Sequence, residues 1–461
     1  MHSRPESRAP LGPDGGTMPR PLGLQKMSFS DGALRKPDPE SSSKVSAGGP
    51  FFTVLVPTMN RFQLLESAVG TIMRQTFTDF ELIVSDNSSD EESKMRNRAT
   101  VEEFADDSRV RYIRPDRWMN MPDHWEFATR HASGRYVVIL TDRHVMRPSA
   151  LQFLHVQINH LQEDSKVVSW QPGSAFSRSG TVNSVPFTGA SEVLDSMQEL
   201  CEFAKCAQWR FSPIWHNRLP RMLNSCYRFD VAQTIRKNHG RLFMPSNPDY
   251  TCAYLLLAYT DRFTYLDRPL FMHHGNQGNG NNILLYGGKE YISSLGDEDL
   301  SAELPVPLRT ATNLIIRDLL MIKNLVGTRL SNISLDLVGY FMCNYRELMI
   351  MERLGSQVDV RALYAQWSEG IQMLTTEQQK QIEVFVSELE RERSSFTSLR
   401  RLAVKLGFDR HYHAIVGGIR HIRRLFTGKP VYPNVLDAAR QTDYMLTDAV
   451  DKQGFSKVCK P

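Results

Sequence analysis

The strongest constraint on the fold is the rhythm of residues 53–140, where four short apolar runs alternate with helical repeats. The runs are Thr53–Pro57, Glu81–Ser85, Val110–Ile113 and Tyr136–Leu140. Each is too short for a helix and is bounded by turn-forming residues such as Asp86-Asn87-Ser88-Ser89-Asp90 or Ser133-Gly134. From Gln63 to Gln75, by contrast, Leu64, Leu65, Ala68, Val69, Ile72 and Met73 recur at helical spacing. Strands joined by helical crossovers run parallel, and a parallel sheet is buried on both faces, which is why its strands read as unbroken apolar runs. The pattern predicts an α/β fold, Rossmann-like, with a mostly parallel sheet and flanking helices. Such sheets bind ligands beyond the carboxyl ends of their strands. The polar residues that follow each run are therefore the candidates for function.

The rest of the chain divides by composition. Residues 1–50 are rich in Pro, Gly and Ser without periodicity and are expected to be a disordered extension. Residues 51–285 read as the α/β domain, and 276–306 are dense in Gly and Asn. A mainly helical region is expected over 300–461, with helices at Leu314–Val326, Leu335–Leu354 and Glu377–Arg393. The net charge of +4 is small for 461 residues and gives no reason to expect a nucleic-acid partner. Six cysteines without a CxxC pair point to a reducing compartment. No apolar run approaches the about 18–20 residues needed to span a bilayer, and the N-terminus has no apolar leader core. The expected location is the cytoplasm, including the inner face of the plasma membrane. Residues 399–429 could supply that contact, since eight basic residues stand against Asp409 with apolar residues interleaved. A helix packed on its own domain would read the same way.

Five constellations carry candidate chemistry. Pro57-Thr58-Met59-Asn60-Arg61 follows the first strand, offering hydroxyl, amide and a planar guanidinium that can face a diphosphate. Alone it is an ordinary strand-to-helix turn with Asn60 as N-cap. Asp86 ends the second strand, where a carboxylate can accept from a uracil imide or a ribose hydroxyl, or close an Asx-turn. Thr141-Asp142-Arg143-His144 follows the fourth strand, and Asp142 with His144 can share one dication. Asp249 opens an apolar helix after Pro245-Ser246-Asn247-Pro248, as a general base or as a first-turn acid. His273 or His274, before the Gly/Asn-rich stretch, could add a metal ligand on a closing loop. Beside these, Trp209, Trp215, His216 and Arg218 could form a platform on which a sugar stacks.

Taken together, these pieces resemble the family-2 glycosyltransferases of the GT-A fold, of the bacterial envelope and capsular polysaccharide type. Val54-Leu55-Val56-Pro57-Thr58-Met59-Asn60-Arg61 resembles the family's "VSVIIPTYNR". Residues 75–90, running from Gln75 through Asp86 to Asp90, resemble "QTYxDFEIIVSDNxSxD". Met121-Pro122-Asp123-His124-Trp125-Glu126-Phe127-Ala128 and Ala132-Ser133-Gly134-Arg135-Tyr136 resemble "MPDNWEFALxxAxGEY". The likeness spans residues 51–275.

The resemblance implies an inverting glycosyltransferase that moves a sugar from a nucleotide-diphosphate sugar, a UDP-sugar first, to a hydroxyl of a glycan or lipid-linked acceptor. Pro57, Thr58, Asn60, Arg61, Asp86, Asp142 and Arg143 would bind the donor. Asp249 would be the catalytic base. Mn2+ or Mg2+ would be held by Asp142, His144 and His273. One departure stands out: the family usually has Asp-x-Asp where this chain has Asp142-Arg143-His144, so Arg143 puts a positive charge beside the expected cation. That departure also suits a catalytically inactive module acting as a scaffold or partner subunit. A nucleotidyltransferase would need a Gly-rich, Lys-containing loop after the first strand, which the chain lacks.

Overall fold

The computed structural model describes residues 49–160, 165–172, 174–177, 180–184, 187–206, 218–245, 247–274, 304–405 and 431–443. Its first stretch alternates as the apolar rhythm requires: β1 (Phe52–Thr58), α1 (Phe62–Met73), β2 (Phe80–Asp86), α2 (Glu91–Glu102), β3 (Val110–Ile113), α3 (Met121–Arg130) and β4 (Tyr136–Ile139). β1 pairs in parallel with β2 and β4, and β2 with β3. Every residue of β1, β2 and β4 is buried. The strand period of two splits β1 between two cores, with Leu55 on one face and Val54 and Val56 on the other.

The chain continues through β5 (His144–Met146), α4 (Ala150–His160), β6 (Val167–Trp170), β7 (Ser174–Phe176), β8 (Val182–Ser184), β9 (Ser191–Asp195) and α5 (Ser196–Ala204). Then come β10 (Ser225–Arg228), α6 (Phe229–His239), α7 (Pro248–Ala258), β11 (Arg262–Leu266) and β12 (Phe271–His273). The main sheet has the order β3-β2-β1-β4-β10-β6-β11-β9, and β5-β12-β7-β8 form a small second sheet. β10 is antiparallel to both its neighbours and β9 is antiparallel to β11, so the sheet is mixed in its second half. With helices on both faces, this is the GT-A layout the resemblance implies.

The reversal at β10 decides where the site lies. Because β10 is reversed, β6 and β11 again run with β1 and β4. α7 ends at Ala258 and β11 begins at Arg262, so α7 runs against the parallel strands and its first turn faces their carboxyl edge. β10 starts at the same edge. The ends of β1, β2 and β4, the segment before β10 and the start of α7 therefore all open on one side of the sheet.

The later helices are α8 (Ala311–Val326), α9 (Leu337–Leu354), α10 (Val360–Ile371), α11 (Thr376–Lys405) and α12 (Val435–Gln441). Ile315, Ile316 and Leu319 of α8 and Tyr340, Phe341 and Leu348 of α9 share one apolar core with Tyr250, Tyr254 and Leu255 of α7. Between them the buried Glu347 carboxylate accepts from Ala311 N, Thr312 N and the Thr312 hydroxyl, capping α8 from α9. α12 returns to the second sheet, where Val435, Ala438 and Ala439 pack against Val145 and Met272. Among the described residues no helix is long and apolar enough to cross a membrane. Trp209, Trp215, His216 and residues 406–430 lie outside the described residues. Cys201, Cys206, Cys226, Cys252 and Cys343 are free thiols.

Candidate functional site

The parallel register brings the strand-end residues together. Thr58 ends β1 directly opposite Asp86 at the end of β2, and Leu140 N bonds to Leu55 O, which aims Thr141 and Asp142 at the same edge. There Asp142 is completely buried. Its Oδ2 accepts from the Thr58 hydroxyl at 2.8 Å and pairs with Arg61 Nε at 3.0 Å. Its Oδ1 is buried with no hydrogen-bond partner among the described residues. Burial pushes the Asp142 carboxyl above the ordinary carboxylate range, against Arg61 and the Thr58 hydroxyl, which pull it down.

Asn60 does not cap α1. Arg61 occupies the N-cap position without a side-chain cap bond, and Asn60 sits at φ 54°. Asn tolerates that left-handed backbone better than most residues, and here the turn is stabilised from across the cleft. Asn60 N donates to Ser88 Oγ at 2.9 Å, and Ser89 N donates to Asn60 Oδ1 at 2.9 Å. The amide thus ties the loop after β1 to the loop after β2. Pro57 is the penultimate residue of β1 and is buried.

Asp86 is the hub of the second loop. Its Oδ1 accepts from Ser88 N at 2.8 Å, the expected Asx-turn, and from Asn97 Nδ2 at 3.1 Å. Its Oδ2 accepts from the Tyr112 hydroxyl and from Arg114 Nη1, each at 2.6 Å. Arg114 and Tyr112 had no place in the sequence reading. The signal that singled out Asp86 applies to them too, since they lie at the end of β3 at the same edge.

The Asp142-Arg143-His144 segment leads into β5, which pairs with β12 so that His144 faces His273 across the ladder, ring centroids 5.8 Å apart. His144 Nδ1 and the Thr141 hydroxyl are 2.6 Å apart. Burial, with His273 and Arg143 adding to it, holds His144 well below the usual imidazole range, so it is neutral and able to ligate. His274 N donates to Arg143 O at 3.0 Å, and His274 Nε2 is buried without a hydrogen-bond partner among the described residues. Burial and Arg61 push the Arg143 guanidinium down, against the pull of Asp142. Among the described residues, no three His, Cys, Asp or Glu side chains gather as a ligand set. The unpartnered Asp142 oxygen and the neutral His144 imidazole are donor types a dication takes, without enough of them gathered among the described residues to cage one.

Asp249 approaches from α7. Every other residue of α7 is buried, and Asp249 alone is partly exposed. A helix buried all round belongs to the core; here its single opening is a carboxylate in the first turn. Burial raises the Asp249 carboxyl above its ordinary value, with Arg221 opposing. Arg221, just before β10, donates from Nη1 to the Tyr250 hydroxyl at 3.2 Å and lies over its ring at 5.3 Å. Arg218, expected in an aromatic platform, pairs instead with Glu192 at 3.7 Å and Glu199 at 3.9 Å.

Residues 53–201 match the family model described as Glycosyl transferase family 2. A GalNAc(5)-diNAcBac-PP-undecaprenol beta-1,3-glucosyltransferase of Campylobacter jejuni is 34% identical over 112 residues, 24% of this chain and 35% of that protein. A validoxylamine A glucosyltransferase of Streptomyces hygroscopicus is 38% identical over 66 residues, 14% of this chain and 15% of that protein. The matches thus span about a third or less of these relatives' lengths. Among solved structures, S. aureus TarS with UDP-GlcNAc aligns with 87% of this chain and 92% of its own at 14% identity and a TM-score of 0.40. The mannosyltransferase PcManGT of Pyrobaculum calidifontis, with GDP-Man and Mn2+, covers 77% and 88% at 15% identity and a TM-score of 0.36.

Proposed function

We propose that the chain, whose residues 53–201 match the family-2 glycosyltransferase model, transfers a sugar, with inversion, from a nucleoside-diphosphate sugar to an acceptor hydroxyl. The donor of this reading is a UDP-sugar. The acceptor is a glycan or a lipid-linked sugar, the class named for the C. jejuni relative. Residues 51–285 would be the transferase domain and 300–461 a helical region serving it, at the cytoplasmic side of the membrane.

The observation that supports the reading is Asp249, the one partly exposed residue of a buried helix that begins at the carboxyl edge of the parallel strands. The acceptor oxygen attacks the anomeric carbon, its proton passes to Asp249, and the bond from that carbon to the diphosphate oxygen breaks. Thr58, Asn60 and Arg114 would line the nucleoside side, with Asp86 holding Arg114 and the turn beneath them in place and Pro57 shaping the turn after β1. Arg61 and Arg143 would face the leaving diphosphate, whose growing charge a fixed guanidinium stabilises. Asp142, with His144 or His273, would hold Mn2+ or Mg2+, which when bound supplies further positive charge there.

In the Asp249→Asn variant, kcat is expected to fall more than ten-fold while UDP binding by calorimetry is unchanged; undiminished turnover would overturn the assignment. The base must be ionised to work, and burial raises its carboxyl. The acid limb of kcat should therefore lie above the ordinary carboxylate range, with turnover rising with pH through it. A second reading, an inactive module, draws on Arg61 already neutralising Asp142. It predicts neither UDP binding nor Mn2+-dependent hydrolysis of a nucleotide sugar.

A further inference from the structure

One buried carboxylate of the helical region reaches the start of α7. Asp318, on α8, is completely buried. Its Oδ2 accepts two hydrogen bonds from the same residue, Asn247 N at 3.1 Å and Asn247 Nδ2 at 2.8 Å. Asn247 is the N-cap residue of α7, yet its side chain makes no cap bond to the helix. Its amide is turned away to Asp318. Pro248 follows, and its ring fixes φ, so little slack separates Asn247 from Asp249. A second anchor on the same turn comes from the opposite part of the chain, where Arg221 holds Tyr250. A third bond, from the Tyr254 hydroxyl to Ile315 O at 3.2 Å, ties the next turn of α7 to α8.

A buried carboxylate is costly to desolvate, and its charge is offset here in part by Arg317 Nη2, 3.4 Å from Oδ1. What the charge provides is a pair of charge-assisted bonds, shorter and stronger than neutral ones. Two bonds to one oxygen hold Asn247 by its backbone and by its side chain at once, which a single bond would leave free to swivel. We propose that Asp318 is a positioning residue for glycosyl transfer: it acts through Asn247 and Pro248 to hold the carboxylate of Asp249 against the acceptor hydroxyl. The helical region then contributes to the chemical step although its own carboxylate does not touch substrate. This inference rests on Asp249 being the base.

The test is a double-mutant cycle on turnover in the full chain, with UDP affinity measured alongside. Asp318→Ala is expected to lower kcat by roughly 10–100-fold, the scale of a small misplacement of a catalytic group. Donor KM and UDP affinity should stay within about two-fold of wild type, because neither Asp318 nor Asn247 has a place in donor binding under the proposed function. Asp318→Asn keeps the shape and one acceptor oxygen, and should recover most of the lost turnover. In the Asp249→Asn background, adding Asp318→Ala should lower the residual turnover no more than about two-fold, since residues acting as a unit are not additive. Wild-type kcat in Asp318→Ala, or the same full loss repeated without Asp249, overturns the proposal. Undiminished turnover in Asp249→Asn alone instead removes the base beneath it. If the alanine variant does not fold, the same cycle is run with Asp318→Asn, where a loss of about three-fold should likewise vanish in the Asp249→Asn background.

Discussion

Asp86 and Asp142 invite comparison because their settings begin alike. Each closes a parallel strand run, each lies at the same edge of the sheet, and each is completely buried. Yet Asp86 has four donors shared between its two oxygens, including the Arg114 guanidinium. Asp142 has both its donors on Oδ2 and an unpartnered Oδ1. A buried carboxylate with every lone pair engaged is finished architecture; one with an unpartnered oxygen is not, and under the proposed function that oxygen is where a bound group would attach. The Asp86 loop is therefore built as a wall and the Asp142 segment as a socket, and mutations at the two should separate stability from binding.

Asp86→Ala should give the largest effect. It strands Arg114, Tyr112 and Asn97 around a missing anion, and breaking a buried pair of this kind costs about 3–5 kcal/mol. Urea unfolding measures it, and a loss under about 1 kcal/mol would break the comparison. A slightly smaller effect is expected from pH. His124, 2.8 Å from Ser85 Oγ beside this wall, is held down to about 4 from 6.5, mainly by burial. A depressed imidazole stabilises the fold fully above its unfolded value. That contribution is lost as pH falls from 6.5 towards 4, because the unfolded chain binds the proton first. The shift corresponds to about 3 kcal/mol. His124→Asn should flatten the stability profile in that window, and an unchanged profile would show that His124 is not the group responsible. Asp142→Asn should move stability least, within about 1 kcal/mol, because the side chain is already half unpartnered and Arg61 can turn to solvent. Its effect belongs to the socket: UDP binding with Mn2+ should weaken at least ten-fold by calorimetry. Equal donor binding in this variant would mean that the open oxygen is not used.

Much of this was legible before any coordinates. The alternating runs located β1 to β4 within about a residue at each end, because strand and helix periods are properties of the local chain. The carboxyl-edge rule then singled out Thr58, Asp86 and Asp142. What could not be read is which donors reach them. Asp142 meets Thr58 from 84 positions away, and Asn247 meets Asp318 across 71. Asn60 shows the same limit at short range. Its identity suits an N-cap, but a left-handed backbone and a bond from Ser89 give it a different task. Arg114 was missed because a cation after a strand looks like any solvated arginine until the ladder places it against Asp86.

The sequence by itself thus determined the elements, their alternation and the acids at the strand ends, since periodicity, turn residues and burial act over a few neighbouring positions. Only the tertiary structure decided which of those acids is closed and which is open. It also decided that α7 begins at the same edge and that its N-cap residue Asn247 is bonded to Asp318 of a later helix, 71 positions on. Those are outcomes of register and of the reversed strand β10, and register depends on the whole sheet, not on any segment of it.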